Sequence, residues 1–173
     1  MLAGCTSKSS GTFSSREKEI TEKVHELYKI YDDSNNALYD HPFSERLFSP
    51  ELKQLLTDAV NKSKEDIENV KNSDHPDEKP LLIEGSLFTS MYEGYTEYKI
   101  KSVTIDPSQN SAEVAVNFEY KESKSKYRWT DKIHVIHSGN EWTIDNIYFG
   151  GVGYEDDNRD LKTTLKNFAN FTK

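Results

Sequence analysis

Three groups of residues have the types and spacing for chemistry. Leu2-Ala3-Gly4-Cys5 has the form of a bacterial lipobox: an apolar residue and two small ones precede a cysteine whose thiol becomes thioether-linked to diacylglycerol. Small residues suit the narrow cleft of a signal peptidase, and Cys5 is the one cysteine, so no internal disulfide can form. Asp131 stands in an alternating run between Trp129 and Ile133, the one acid whose parity turns it to the apolar side of a strand. A carboxylate there can orient a ligand's donor group or carry a proton, and its ordinary use is to bond an Arg or a backbone N–H near a sheet end. His134 and His137 form His-x-x-His, but residues three apart on a strand face opposite ways and cannot chelate together. His137 shares the parity of Asp131 yet lies six residues on, about 20 Å along a strand, too far for a dyad.

The elements that must place these residues follow from periodicity. Ser14-Ser15-Arg16-Glu17 has capping-box spacing, and Ile20, Val24, Leu27, Tyr28 and Tyr31 then form one helical stripe, which Asp32–Asn36 ends. Phe43–Phe48 reads as a short helical turn. Ser49-Pro50 opens a second long helix with Leu52, Leu55, Leu56, Ala59, Val60, Ile67 and Val70 on its apolar face. Asn72–Pro80 breaks it, and from Leu81 the period changes to two. Tyr95–Ile105 reads as a strand with a bulge near Lys101-Ser102, and Ala112–Tyr120 and Tyr127–His137 as strands. Ser138-Gly139-Asn140 then turns the chain into Glu141–Phe149. Asp156-Asp157-Asn158 offers a cap for a last helix striped with Leu161, Leu165, Phe168 and Ala169. The expected fold is α+β: a curved antiparallel sheet packed on N-terminal helices, with a C-terminal helix. Its concave face carries Phe118, Tyr120, Trp129, Asp131 and Ile133 as the expected pocket lining.

Ten Tyr, eight Phe and two Trp supply core material, and 173 residues suffice for one real core. Residues 1–15 read as a lipobox remnant and a Ser/Thr-rich tether, and 16–173 as a single domain. The charged and apolar segments that precede a lipobox do not appear before Leu2, so the chain is expected to begin inside a longer precursor. No stretch approaches the twenty apolar residues of a membrane span. A net charge of −8 with interspersed basic residues argues against a nucleic-acid partner, which needs a clustered cationic face. His75 amid Asp74, Asp77 and Glu78 resembles a metal site in composition only, and Gly150-Gly151-Val152-Gly153 has no Gly-Lys-Ser/Thr after it. No catalytic residue, metal or cofactor is expected.

The ending Gly139-Asn140-Glu141-Trp142-Thr143-Ile144-Asp145-Asn146-Ile147 is similar to the last strand of many proteins with the cone fold of nuclear transport factor two, also called cystatin-like. Phe48-Ser49-Pro50-Glu51-Leu52, Leu82-Ile83-Glu84-Gly85-Ser86-Leu87-Phe88 and the Leu161–Phe168 helix resemble uncharacterised YbjP-like lipoproteins of Gram-negative bacteria, a family of unknown function. That resemblance implies an anchored envelope protein, and lipoprotein sorting rules with Thr6 after the cysteine imply the outer membrane, facing the periplasm. The leading expectation is a lipid-anchored, non-enzymatic module that binds a small molecule or an envelope protein. An immunity or inhibitor protein acting on a basic toxin or hydrolase stands second. A small-molecule enzyme using Asp131 stands third. Asp131→Asn is expected to keep the fold and weaken ligand binding.

Overall fold

The computed structural model describes residues 14–31, 36–40, 42–151 and 159–171. Helix α1 (Ser15–Ile30) starts at the expected capping box: the Ser14 hydroxyl accepts from the Glu17 amide at 3.3 Å, and the Glu17 carboxylate accepts from the Ser14 amide at 2.6 Å. Helix α2 (Asn36–Asp40) is a single turn and a little more, in a stretch with no helical period of its own. Its Tyr39 hydroxyl reaches Ser63 Oγ at 3.3 Å and accepts from the Ile83 amide at 3.1 Å. Helix α3 (Pro50–Lys71) has Pro50 in its first turn and Ser49 as cap. Helix α4 (Leu161–Ala169) is capped by Asp160, whose carboxylate accepts from the Thr163 amide at 3.0 Å. The capping residues expected upstream, Asp156-Asp157-Asn158, lie outside the described residues, as do Cys5 and the start of the tether.

Strands β1 (Glu97–Asp106), β2 (Ser111–Glu122), β3 (Ser125–Ser138) and β4 (Glu141–Tyr148) form one antiparallel meander in sequence order. Residues 81–96, where an alternating pattern begins, form no strand. Gly85 and Gly94 there adopt φ of +68° and +84°, and the Ser86 amide donates to the Tyr92 carbonyl at 2.8 Å. Ile83, Leu87 and Phe88 of that stretch are buried by a closed loop rather than by a ladder.

Two bulges bend the sheet. Lys101 is the extra residue in β1, since Ile100 pairs with Val116 and Ser102 with Ala115. Asp145 is the extra residue in β4, since Asn146 pairs with His134 and Ile144 with Val135. The second bulge resets parity, so that Trp142, Ile144 and Ile147 all face the core. Helix α1 lies against β1 and β4, and α3 and α4 against β4. Val114, Val116, Phe118, Ile133 and Val135 meet Ile20, Val24, Leu27 and Leu56 in one buried cluster. A parallel bridge between Phe48 and Ile144 also covers the free side of β4: Ser49 N–H donates to the Ile144 carbonyl at 2.8 Å, and Ile144 N–H to the Leu47 carbonyl at 2.8 Å. No described helix is long and apolar enough to cross a membrane.

Candidate functional site

Asp131 is fully buried on the inner face of β3, on the side its parity demands. One carboxylate oxygen accepts from Thr89 Oγ1 at 2.9 Å, the Ser90 amide at 2.9 Å and Trp129 Nε1 at 3.2 Å. The other accepts from the Gly150 amide at 2.9 Å and from Ser90 Oγ. Ser90 Oγ in turn accepts from the Gly151 amide at 3.0 Å. Five donors meet the roughly four lone-pair sites of a carboxylate, so none is left for a ligand. The group ties the 89–90 segment and the Gly150-Gly151 corner to β3. Gly150 is required for that approach, because a Cβ there would fall 1.9 Å from the Thr130 carbonyl oxygen.

Phe118, Trp129 and Ile133 are buried with it. Phe118 stacks on Trp129 with ring centroids 5.4 Å apart and meets Tyr28 edge-on at 5.3 Å, while Tyr120 packs, partly buried, near Tyr127. The space expected as a pocket over these five residues is therefore filled by rings and by the 87–90 segment, which correspondingly makes a structural knot of Asp131. The sequence could not show this, because Thr89, Ser90, Gly150 and Gly151 reach Asp131 only through tertiary folding.

A cleft of about 650 Å³ opens instead on the other side of the 82–93 segment, between it and α4. Met91, Tyr92, Tyr127, Phe149, Leu165 and Phe168 supply apolar wall, and Ser86, Ser90 and Thr164 hydroxyl groups. None of the five expected lining residues borders it. Tyr92 is 61% exposed, yet its ring lies flat against Gly85, where an added Cβ would come within 2.4 Å of it. The positive φ and the missing side chain of Gly85 thus both serve to hold an exposed ring at the cleft mouth.

A second polar cluster gathers at the β4 bulge. The Asp145 carboxylate accepts from Ser49 Oγ at 2.7 Å and from Lys162 Nζ at 2.9 Å to each oxygen, and lies 3.4 Å from His134 Nδ1. Lys162 also bonds Glu51 at 2.7 Å. Serine and histidine here both address the carboxylate rather than each other, which is not the order of a proton relay. Burial pushes the Asp145 carboxyl up, but the bonds from His134, Lys162 and Ser49 outweigh it and hold the group well below the usual carboxylate range. A carboxyl with a depressed folded-state pKa contributes stability that is complete above its unfolded value near 3.9 and is lost as pH falls below it. Asp145→Asn should accordingly lower the urea midpoint at pH 6, and the gap from wild type should narrow progressively as pH falls below about 4. A gap independent of pH would show that the cluster acts through packing alone. The one sequence signal for this cluster is Ile144-x-x-Ile147, a break in the period of two that marks the bulge.

No family model, curated protein or solved structure matches the chain.

Proposed function

We propose that the protein is a lipid-anchored, non-enzymatic module of the cell envelope that holds a small organic ligand in the cleft between residues 82–93 and α4. The cleft carries this reading. Its volume falls in the range of roughly 300–1,000 Å³ usual for ligand sites, and aromatic walls with hydroxyl groups and the charged Glu84, Glu93 and Arg159 suit a molecule with an apolar body and a polar end. The saturated Asp131 supports binding over proton transfer, since its carboxylate oxygens are occupied by five donors of the protein itself and it does not border the cleft. The lipobox at Cys5 supports the anchor, Thr6 after it the outer membrane, and the two sheet bulges the curvature of a cone like that of nuclear transport factor two.

Two measurements test it. Native mass spectrometry of protein taken from envelope membranes should show a bound small molecule, and Tyr92→Ala, at an exposed ring, should reduce its occupancy about tenfold without lowering the melting temperature. Equal occupancy in both proteins, or none in either, rejects the cleft. Cys5→Ser should abolish palmitate labelling and release the protein from the membrane, because each buried methylene contributes about 0.8 kcal/mol to anchoring. Unchanged labelling and fractionation would refute the lipobox.

A further inference from the structure

One end of the sheet's outer face carries a charge opposite to that of the whole chain. Strand parity places Lys99, Lys121, Lys126, Arg128 and Lys132 on that face, and the β1 bulge adds Lys101. Glu97 and Glu119 stand among these cations, while Glu113, Asp106 and Asp145 of the β4 bulge lie toward the other end of the face. The six cations gather with only Glu97 and Glu119 on one half of the face, in a protein of net charge −8. Glu119 alone is bonded by Lys121 at 2.8 Å, Lys126 at 2.6 Å and Arg128 at 3.0 Å, and these bonds hold its carboxyl down at about 2. Glu97 and Glu113 lie 3.6 and 3.3 Å from Lys121 and Lys132. Lys99 and Lys101 are exposed on the edge strand and border a shallow hollow of about 510 Å³ together with Glu119 and Arg128.

We propose that this face docks on an anionic bilayer surface, with lipid phosphates meeting Lys99, Lys101 and Arg128. Charge complementarity is the first argument. At physiological salt the Debye length is about 8 Å, so the acidic helices on the far side of the sheet are screened from the surface and the local excess of cations decides the interaction. Chain length is the second, and it rests on the lipid-anchor reading. The nine residues from Cys5 to the α1 cap at Ser14 span at most about 30 Å, which keeps the domain beside the bilayer that holds the lipid. A basic patch is the kind of second signal that adds to a lipid anchor.

The test uses the Cys5→Ser chain, so that docking is read without the anchor. Sedimentation with phosphatidylglycerol vesicles in about 0.05 M salt should retain at least about tenfold more protein than phosphatidylcholine vesicles, with the excess lost near 0.5 M salt. Lys99→Glu/Lys101→Glu should abolish that excess. Lys29→Glu/Lys64→Glu, the same charge change on exposed helix positions, should leave it within about twofold. Equal retention on both vesicles, equal loss in both double variants, or binding of a poly-aspartate peptide without vesicle retention would each overturn the proposal. Palmitate labelling of wild-type Cys5 reports on the anchor separately, so the two readings fail by different results.

Discussion

Asp131→Asn is expected to lower the melting temperature by about 6–12 °C, a loss of about 3 kcal/mol at roughly 2–4 °C per kcal/mol for a domain of this size. The carboxylate is fully buried and every bond it makes is as an acceptor. An amide keeps one acceptor oxygen and sets an N–H₂ against donors on the other side, so some of the Thr89, Ser90, Trp129 and Gly150 donors lose their partner without regaining water. Bonds to a charged group contribute about 1.5–3 kcal/mol each, and an orphaned buried donor costs about 1–3 kcal/mol. The earlier expectation that this variant would keep its fold and lose only a ligand is therefore replaced. Hydrogen exchange should quicken first at the Ser90, Gly150 and Gly151 amides, which the knot protects. A melting temperature within about 2 °C of wild type would mean that the five-donor knot does not form in solution.

Trp142→Ala should cost about 3–5 kcal/mol, out of a total on the order of 5–15 kcal/mol. Trp142 is 6% exposed on the inner face of β4, opposite His137, whose ring meets it edge-on at a centroid distance of 5.0 Å. It shares a hollow with Ser15, Arg16 and Glu19, so the ring joins the start of α1 to the end of the sheet. Ala would leave a void there that neither element can close, because both are pinned, α1 by its capping box and β4 by its ladder. Denaturant unfolding of Trp142→Phe beside Trp142→Ala separates lost volume from disruption, with Phe expected to recover at least half of the loss. An Ala variant as stable as wild type would place Trp142 on the solvent side.

The elements were legible because local signals agree with the fold. Ser14 with Glu17, Ser49 with Pro50, the bulge at Lys101 and the turn at Gly139 all act within a few residues of one another, and the structure uses each as the sequence implies. Parity on β3 likewise put Asp131 inside and Lys126, Arg128 and Lys132 outside. Local pattern failed where burial came from distant partners. Residues 81–96 begin a strand-like period, but Ile83, Leu87 and Phe88 are buried by a loop that closes on itself and on Asp131.

By itself, then, the sequence determined which residues could be helix, strand or cap, and which way each strand residue faces, since those depend on bond geometry repeated over two to four residues. Only the tertiary structure decided what Asp131 meets, that the concave face is filled by the packed rings of Tyr28, Phe118 and Trp129, and that the open cleft lies beyond the 82–93 segment. It also decided that cations scattered over 34 positions, from Lys99 to Lys132, share one face. The physical reason is the same in each case: a carboxylate's donors, a cavity's walls and a surface's field are sums over groups that the chain brings together from far apart, and no window of sequence contains them.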